Sequence, residues 1–491
     1  MFSRAAGFFY RVYLSRLLGA EYLGIYQIAM SIFTVLVTIT SSGIPVTVSR
    51  KSAQFYILKD DKAAASTVLS AAIFTLIIST VFSCLILIFK NLFAYIFTDA
   101  RCMPIFMMLL PAFVASSIYS SFRGGLWGQK AYISYSVVEL VEELVIIICG
   151  IILTMSIDTI SGKTLSAAAA ISISYFVSAI VTVILYLKRG GKFIKPKGYF
   201  KPLLKSSLPI TGVRMASSIL GSLIALVFPI MLTLSGLTKA EALAEFGIIT
   251  GMTFPFLFLP STFVGALALV LVPEISQSIA LKNKSDVKTK IDGALNFALA
   301  VALVIIPAFI ACGKEFGLFL YDNDKAGFYL EYFCFMMAPM SLNMITTSLC
   351  NSMGKEFMAL RNYFLGAVFL IICAVALPYV LGVYALMLGY ILNLTISTVL
   401  NILTIKKSLN ISFKFLTNGF VLILAGIPVV FLGNNIQGIF NFFNLPKIFS
   451  CFTILICISC MMTIVIIFNI LNVRVLFSKR RKKKKIKIST L

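Results

Sequence analysis

Arg214 lies inside the apolar run 203–234 of a chain that is 60% hydrophobic. A cation near the middle of a bilayer is costly unless it faces a partner or a water-filled cavity, so such residues mark functional sites. Arg214 would lie about 16 Å into this run, too deep for its side chain to reach the interface easily. We therefore expect Arg214 to face an internal cavity. Arg11, in the first apolar run of the chain, carries the same expectation.

Three glutamates, Glu139, Glu142 and Glu143, have the spacing i, i+3 and i+4, which places them on one face of a helix. Three carboxylates so close together cannot all ionise at low dielectric, so at least one should be protonated or paired with an arginine. Two interpretations stay open. The glutamates form a coupling or gating site for a cation or a proton, or they form salt bridges to Arg11 or Arg214.

The composition excludes a soluble globular protein. Mean hydropathy is +1.00 and only 12% of residues are charged, whereas soluble domains carry roughly 25%. A spanning helix needs about 20 mostly apolar residues. We predict an all-α polytopic membrane protein with about fourteen transmembrane helices, at 1–18, 24–48, 66–89, 103–122, 133–157, 165–187, 203–233, 246–272, 293–313, 332–350, 362–381, 383–403, 416–433 and 448–472.

The residue types that carry most enzyme chemistry are missing or badly placed. Histidine is absent, which removes the commonest general base. The ten cysteines lie mostly within apolar runs and are interpreted as small packing residues. No phosphate-binding Gly-Lys-Ser/Thr string occurs. We therefore expect no catalytic residue, no metal site, no cofactor and no enzymatic activity, and any uphill transport would draw on ion gradients or membrane potential.

The net charge of +24 could suggest a nucleic-acid partner, but its distribution does not. Most lysines and arginines lie in alternate connecting segments, the pattern that marks cytoplasmic loops. We predict a multi-pass protein of the cell membrane with both termini cytoplasmic and no nucleic-acid partner. The basic tail 474–491 is expected to lie against anionic membrane lipids.

Weak internal similarity divides the chain into two six-span halves. Gly24, Pro45 and Gly128 have counterparts at Gly247, Pro273 and Gly354 at nearly equal offsets. Such parallel repeats form two bundles with the substrate path between them. The predicted organisation is an N-terminal lobe at 1–187, a cytoplasmic linker at 188–202, a C-terminal lobe at 203–405, two additional helices at 406–473 and the basic tail at 474–491.

Glycines and prolines inside the apolar runs predict bending points, because they break hydrogen-bond ladders that lipid cannot satisfy. The candidate hinge residues are Gly43, Pro45, Pro209 and Gly212. The pair Gly124–Gly125 is expected to form a reverse turn between two spans rather than a phosphate-binding loop.

Two stretches carry a family resemblance. Residues 7–27 (GFFYRVYLSRLLGAEYLGIYQ) and 42–50 (SGIPVTVSR) resemble the polysaccharide exporters of the stage V sporulation protein B-like family. That family belongs to the multidrug/oligosaccharidyl-lipid/polysaccharide (MOP) superfamily and is related to lipid II flippases. The sequence departs from the family at Ile146, where a basic residue often follows the span-five glutamate, here Glu142.

The resemblance implies a two-lobed fold like that of the multidrug (MATE) exporters, with a central cavity. It also implies transport of lipid-linked sugars for polysaccharide or cell-wall synthesis, and sporulation is associated with the family. Arg11 and Arg16 match the positions of first-helix arginines that bind substrate pyrophosphate in lipid II flippases, and Arg50 closes the neighbouring helix. Arg11, Arg16, Arg50 and Arg214 are therefore the predicted substrate-binding residues, since a pyrophosphate requires several convergent cations.

The resulting hypothesis is a flippase or exporter of a lipid-linked oligosaccharide or peptidoglycan precursor, working by alternating access. Its expected partners are the lipid-linked pyrophosphate sugar, membrane lipids and cell-wall synthesis enzymes, and the protein is expected to be a monomer. The alternative is a cation-coupled multidrug exporter of the same superfamily. Such an exporter favours acidic cavities, and the cations Arg11 and Arg214 argue against it.

Overall fold

The computed structural model describes residues 2–194, 200–280, 283–407, 414–443, 445–468 and 470, and within them it contains nineteen α-helices and no strand. The all-α prediction is confirmed. The first ten helices are α1 (Phe2–Ser41), α2 (Ile44–Ile57), α3 (Asp61–Ile88), α4 (Lys90–Ala94), α5 (Cys102–Gly128), α6 (Tyr132–Met155), α7 (Ile160–Lys188), α8 (Phe200–Leu234), α9 (Lys239–Gly247) and α10 (Phe254–Phe258).

The remaining helices are α11 (Ser261–Ala280), α12 (Lys284–Tyr321), α13 (Asp324–Phe333), α14 (Met337–Ser352), α15 (Glu356–Ala376), α16 (Pro378–Leu381), α17 (Tyr384–Lys406), α18 (Lys414–Phe442) and α19 (Ser450–Ile467). A π-helical segment, Ile248–Thr253, separates α9 from α10.

Twelve stretches in the described part of the chain are long and apolar enough to cross a membrane. The predicted number of fourteen stays a prediction. The first two predicted spans fall in one continuous stretch, Ala5–Ile57. Helix α6, with three glutamates in its 24 residues, is not among the twelve. Because soluble proteins rarely contain even one helix of this kind, the twelve apolar stretches indicate a polytopic membrane protein.

The chain divides into two compact units. The first consists of Met1–Phe256, Leu320–Ala326 and Phe369–Gly389, and the second of Leu257–Phe319, Gly327–Val368 and Tyr390–Leu491. These units do not coincide with the predicted lobes at 1–187 and 203–405, whose boundaries stay predictions. Part of the predicted linker, residues 195–199, and the basic tail 474–491 lie outside the described residues.

Glycines break the first helix at two points in the first unit. Gly19 has φ 71° and ψ 171° inside α1, a conformation that glycine adopts without the steric penalty of other residues. The predicted first span at 1–18 ends at this residue. A second break at Ser42–Gly43 separates α1 from α2, which starts with Pro45 in its first turn, where a missing N–H costs nothing.

The residues around Gly124 are helical, so the predicted reverse turn at Gly124–Gly125 is wrong. Helix α5 continues through Gly128. A Cβ on Gly124 would lie 2.7 Å from the carbonyl oxygen of Pro45, and one on Gly125 would lie 2.9 Å from the Tyr186 ring. The absence of a side chain at Gly124 lets α5 pack directly on the backbone of α2, and its absence at Gly125 leaves room for the Tyr186 ring of α7. This packing favours helix over turn.

A charged network holds the segment before α5 in the first unit. Arg101 lies 2.5 Å from Glu21 of α1 and 3.0 Å from Asp99, and Lys239 of α9 lies 3.3 Å from the same aspartate. Burial raises the pKa of Asp99, but the hydrogen bonds and charges of Arg101 and Lys239 outweigh that effect and lower it below its ordinary value of 3.8.

The second unit contains a network of buried amides and hydroxyls. The Asn362 amide donates to Asn401 Oδ1 at 2.9 Å and to Thr404 Oγ1 at 3.3 Å. The Asn401 amide donates in turn to Thr347 Oγ1 at 3.2 Å. In lipid-facing proteins such bonds hold helices together, each contributing roughly 0.6–2 kcal/mol. The network therefore joins α14, α15 and α17.

Substituting Gly124→Ala should destabilise the protein, because the new Cβ must displace the Pro45 backbone. Overpacking of this kind costs about 1–3 kcal/mol. The unfolding midpoint of the purified protein in detergent measures the effect. Gly221→Ala in α8 is the matched control, since a Cβ there meets no atom within 4 Å. Equal midpoints for the two variants would contradict the close α2–α5 packing.

The lowered pKa of Asp99 predicts a loss of stability in acid. The stabilising contribution of the carboxylate is complete above its ordinary pKa and is lost as the pH falls through the lowered one. Between pH 5 and pH 3, wild type should therefore lose more stability than Asp99→Asn, which carries no titratable group there. Unfolding midpoints across this range test the prediction, with Asp158→Asn, at an exposed position, expected to behave like wild type.

Candidate functional site

Arg11 shares a cavity with two of the three predicted glutamates. The cavity has a volume of about 220 Å³ and is lined by Arg11 of α1 and by Glu142 and Glu143 of α6, among others. Among the described residues no salt bridge within 4 Å joins Arg11 to either carboxylate, although the Arg11 charge acts on Glu143. Arg11 and the two glutamates therefore line the same small cavity without forming a salt bridge across it.

The cavity depends on close approach between α1 and α6. A Cβ on Gly7 would collide with Oε1 of Glu143, so the glycine lets this carboxylate lie against the α1 backbone. Arg11 follows Gly7 by four residues and therefore lies on the same face of α1. Ile146 of α6 lines the same cavity. The cavity therefore has an apolar wall one helical turn beyond the carboxylates.

Glu139 is separated from the other two glutamates. It is exposed, does not line the Arg11 cavity and accepts a hydrogen bond from the Tyr135 hydroxyl. All three carboxylates share a helix face, as their spacing predicts, but Glu139 lies about 6 Å before Glu143 along the helix axis. The predicted triplet is therefore a pair in the cavity and a third carboxylate outside it.

Arg123, which the sequence analysis did not single out, is a second arginine close to the glutamates of α6. Arg123 of α5 lies over three aromatic rings, at 4.7 Å from Trp127, 5.1 Å from Tyr135 and 5.8 Å from Tyr119. We call these four residues the Arg123 cage. The Arg123 charge acts on Glu142 and on Glu139. The spacing of four between Tyr119, Arg123 and Trp127 was the available signal in the sequence.

Arg214 lines a second, larger cavity. Its volume is about 410 Å³ and it is open. Its lining consists of one cation, five hydroxyl residues and one valine, namely Val37, Thr38, Ser41, Ser42, Arg214, Ser217 and Ser218. Thr38 Oγ1 and Ser218 Oγ lie 3.0 Å apart, joining α1 to α8. No carboxylate lines this cavity, and in the described part of the chain Arg214 forms no salt bridge.

Two of the predicted hinge residues, Gly43 and Pro45, lie at the break between α1 and α2. A Cβ on Gly43 would lie 2.6 Å from the Ser207 carbonyl oxygen and would collide with Thr211, so the break between α1 and α2 rests on the backbone of α8. The side chain of Pro209 lies outside the described residues. A Cβ on Gly212 would meet no atom of another element within 4 Å. Whether any of these residues bends during transport stays a prediction.

The other two predicted substrate-binding arginines lie outside both cavities. Arg16 is exposed and its Nε donates to the carbonyl oxygen of Leu320 at 2.6 Å. Arg50 is exposed at the surface of α2. Neither lines the Arg11 cavity or the Arg214 cavity. Of the four predicted arginines, Arg11 and Arg214 therefore line these two cavities, and Arg16 and Arg50 do not.

The π-helical segment also borders the Arg11 cavity through Gly251. π-Helical turns inside α-helices occur frequently at functional sites, because they leave backbone groups unpaired and admit local rearrangement. Glycines bring α9 close to α1 just before this segment. A Cβ on Gly247 would lie 2.6 Å from the amide nitrogen of Gly24.

Comparison with known proteins identifies relatives over most of the chain. The family model described as "Polysaccharide biosynthesis protein" matches residues 1–279. Stage V sporulation protein B of Bacillus subtilis (strain 168) is 25% identical over 435 residues, covering 84% of this chain and 83% of the relative. Sporulation protein YkvU of the same organism is 22% identical over 440 residues, covering 85% and 95%.

Solved structures share the fold. The lipid II flippase MurJ in an inward closed conformation has a TM-score of 0.72 at 14% identity, covering 95% of this chain and 97% of its own. An inward-facing multidrug resistance MATE family transporter of the MOP superfamily has a TM-score of 0.68 at 15% identity, covering 83% and 94%. The predicted MATE-like fold is confirmed by both.

The Arg123 cage can be tested through its own fluorophore, because Trp127 is the single tryptophan of the chain. Arg123→Lys keeps the charge but loses the flat guanidinium that stacks on the rings. We expect a shift of the tryptophan emission and a loss of about 1 kcal/mol of stability. Arg189→Lys, at an exposed position, should change neither. Unchanged emission in Arg123→Lys would contradict the stacked arrangement.

Proposed function

The chain belongs to the polysaccharide biosynthesis protein family, the polysaccharide exporters of the MOP superfamily, and we propose that it moves a lipid-linked oligosaccharide or peptidoglycan precursor across the cytoplasmic membrane. The observation that carries this proposal is Arg214, a cation without a salt-bridge partner in the described residues, in an open hydroxyl-lined cavity. An anionic headgroup is the ligand that such a cavity attracts.

The proposed mechanism is alternating access. The anionic headgroup binds at the cavity arginines while the polyprenyl tail stays in lipid. Bending at the break between α1 and α2, next to Gly43, then changes the side of the membrane to which the headgroup is exposed. Glu142 and Glu143 serve as the coupling or gating group, because taking up or releasing a cation or a proton changes the charge of the cavity that they share with Arg11.

A second candidate is supported by the same carboxylates. A cation-coupled multidrug exporter binds cationic drugs in an acidic cavity, and Glu142 and Glu143 line one. MATE transporters are also among the structures that share the fold. The Arg11 charge in that cavity favours the lipid-linked substrate, and so does the lack of a carboxylate among the described residues that line the Arg214 cavity.

The remaining features of the proposal concern setting and partners. We place the protein in the cell membrane with cytoplasmic termini, as a monomer that receives its substrate from cell-wall or polysaccharide synthesis. Stage V sporulation protein B is named for sporulation, and a role in forming the cell wall of a spore is part of the proposal.

The test is flipping of a fluorescent lipid-linked pyrophosphate oligosaccharide in proteoliposomes. Wild type should flip it, and Arg214→Ala should lower the rate at least about tenfold, because a hydrogen bond to a charged group contributes roughly 1.5–3 kcal/mol. Arg189→Ala, an exposed arginine after α7, is the matched control and should flip normally.

Two results would contradict the proposal. Wild type that moves a cationic dye but not the lipid-linked sugar would favour the multidrug exporter. Normal flipping by both Arg11→Ala and Arg214→Ala would remove the cavity arginines from the mechanism. Unfolding midpoints of each variant separate lost function from lost folding.

A further inference from the structure

We propose that the first unit opens to the outside along a charged seam, a line of weak contacts between two groups of helices near Asp99. On one side lie residues 98–101 and the part of α1 around Gly19, which we call the Asp99 side. On the other lie the end of α8, helix α9 and residues 320–326, which we call the α9 side. Such an opening is part of the proposed alternating access, on which this inference rests.

The cations of this region share one side of the membrane in the predicted topology. Arg16 lies near the end of the first predicted span, and Arg101 follows the third. Lys239 follows the seventh and Lys325 follows the ninth. Segments after odd-numbered spans face outside when the N-terminus is cytoplasmic. The structure joins these four cations, far apart in sequence, to α1, α9 and residues 98–101 and 320–326 of the first unit.

Each side of the seam pairs its own buried carboxylate. Asp99 accepts hydrogen bonds from the Arg101 backbone amide at 2.8 Å, from Nε at 3.0 Å and from Nη2 at 3.2 Å. Arg101 also pairs with Glu21 of α1. On the α9 side, the buried Glu245 pairs with Lys325. Because a buried charge that loses its partner is costly, these pairs favour movement of each side as one body.

Lys239 makes the ion pair across the seam. Its Nζ lies 3.3 Å from Asp99 Oδ2, and its side chain is 53% exposed. Exposed ion pairs contribute little to stability and are screened by salt. Asp99 keeps Arg101 when Lys239 leaves, so this pair can break without leaving a buried charge unpaired. Lys239 is also the first residue of α9, where the helix dipole disfavours a cation. The contact with Asp99 accounts for a lysine that helix stability does not.

Two single hydrogen bonds add to the ion pair. The exposed Arg16 donates from Nε to the Leu320 carbonyl oxygen at 2.6 Å. The Thr98 hydroxyl donates to the Leu226 carbonyl oxygen of α8 at 3.1 Å. Both acceptors are backbone carbonyls, and water can replace either donor when the two sides separate. The polar contacts across the seam therefore exchange for water at little cost.

Backbone meets backbone where α1 and α9 touch across the seam. A Cβ on Gly24 would collide with the Leu243 carbonyl oxygen, and a Cβ on Gly247 would collide with that of Ala20. No side chain is interleaved at these glycines. The two helices can therefore part there without a change of side-chain rotamer, whereas interlocked side chains would have to rearrange.

The experiment measures how fast a water-soluble maleimide labels Cys102 of the full chain in lipid nanodiscs. Cys102 is buried, its thiol donates to the Ile25 carbonyl oxygen at 3.7 Å, and the Lys239 charge acts on it. The thiol therefore lies at the seam. Peptide mass spectrometry separates its labelling from that of the other cysteines.

Lys239→Gln should speed the labelling of Cys102 roughly 1.5- to 5-fold, the effect of removing one exposed ion pair from a two-state opening. Salt of about 1 M, which shortens the screening length to about 3 Å, should bring wild type close to the variant and change the variant little. A nearby cation favours the reactive thiolate, so loss of the Lys239 charge alone would slow labelling. Faster labelling therefore reports access to the thiol rather than its reactivity.

Three controls accompany this variant. Lys239→Arg keeps the charge and should label at the wild-type rate. Lys90→Gln removes an exposed cation that also follows the third predicted span and forms no salt bridge among the described residues. It should label at the wild-type rate as well. Cys350, buried in the second unit, is the internal reference, and its labelling should stay the same in every variant.

Two results would overturn the seam. Equal labelling of Cys102 in wild type and Lys239→Gln would remove the ion pair from the opening. Faster labelling of Cys350 together with Cys102 would show a general loosening of the fold. Wild type that flips the lipid-linked sugar under either result would leave the proposed function standing. The expected labelling in a protein that moves only a cationic dye would support the seam and overturn the proposed substrate.

Unfolding midpoints test the division of the charges. Arg101→Gln leaves the buried Asp99 with one exposed partner and should lower the midpoint by several degrees. Lys239→Gln also removes one positive charge, but Asp99 keeps Arg101, so the midpoint should stay within about one degree of wild type. Equal losses in the two variants would contradict the assignment of Arg101 to the Asp99 side and of Lys239 to the contact across the seam.

Discussion

Charge balance inside a membrane protein is the constraint on which the first unit depends. Helix α6 carries carboxylates that lipid cannot solvate, and the arginines that balance them come from two different helices. Arg11 of α1 faces Glu143 across a small cavity, and Arg123 of α5 acts on Glu142 from within a cage of aromatic rings. Because the balance requires three helices, it fixes how α1, α5 and α6 pack against one another.

Close backbone contact makes this balance possible. Gly7 brings Glu143 against α1, and Gly124 brings α5 against α2. Helix α1 can therefore place Arg11 near the α6 carboxylates without a layer of intervening side chains. In contrast, the Arg214 cavity is open, and no carboxylate is among the described residues that line it. The same unit thus holds arginines engaged with carboxylates, such as Arg101 and Arg123, and one, Arg214, that lines an open cavity.

The sequence was informative where a local rule decides the outcome. Apolar runs long enough to span a bilayer predicted the all-α membrane fold, and depth within its run predicted that Arg214 faces a cavity. Tertiary packing decided the rest. Gly124 and Gly125 look like a turn locally, but contact with Pro45 and Tyr186 favours a helix. The Arg123 cage needs Tyr135 from a neighbouring helix, and no spacing rule along the chain contains that contact.

The Arg123 cage also has a consequence for biosynthesis. A buried Asp, Lys or Arg raises the cost of moving a helix from the translocon into lipid by about 2.5–3.5 kcal/mol, and α6 carries three glutamates of the same kind. Only Gln129, Lys130 and Ala131 separate α6 from α5. The two helices therefore leave the translocon most favourably as a hairpin in which Arg123 already offsets part of the α6 charge, so this part of the first unit can form before the later helices are synthesised.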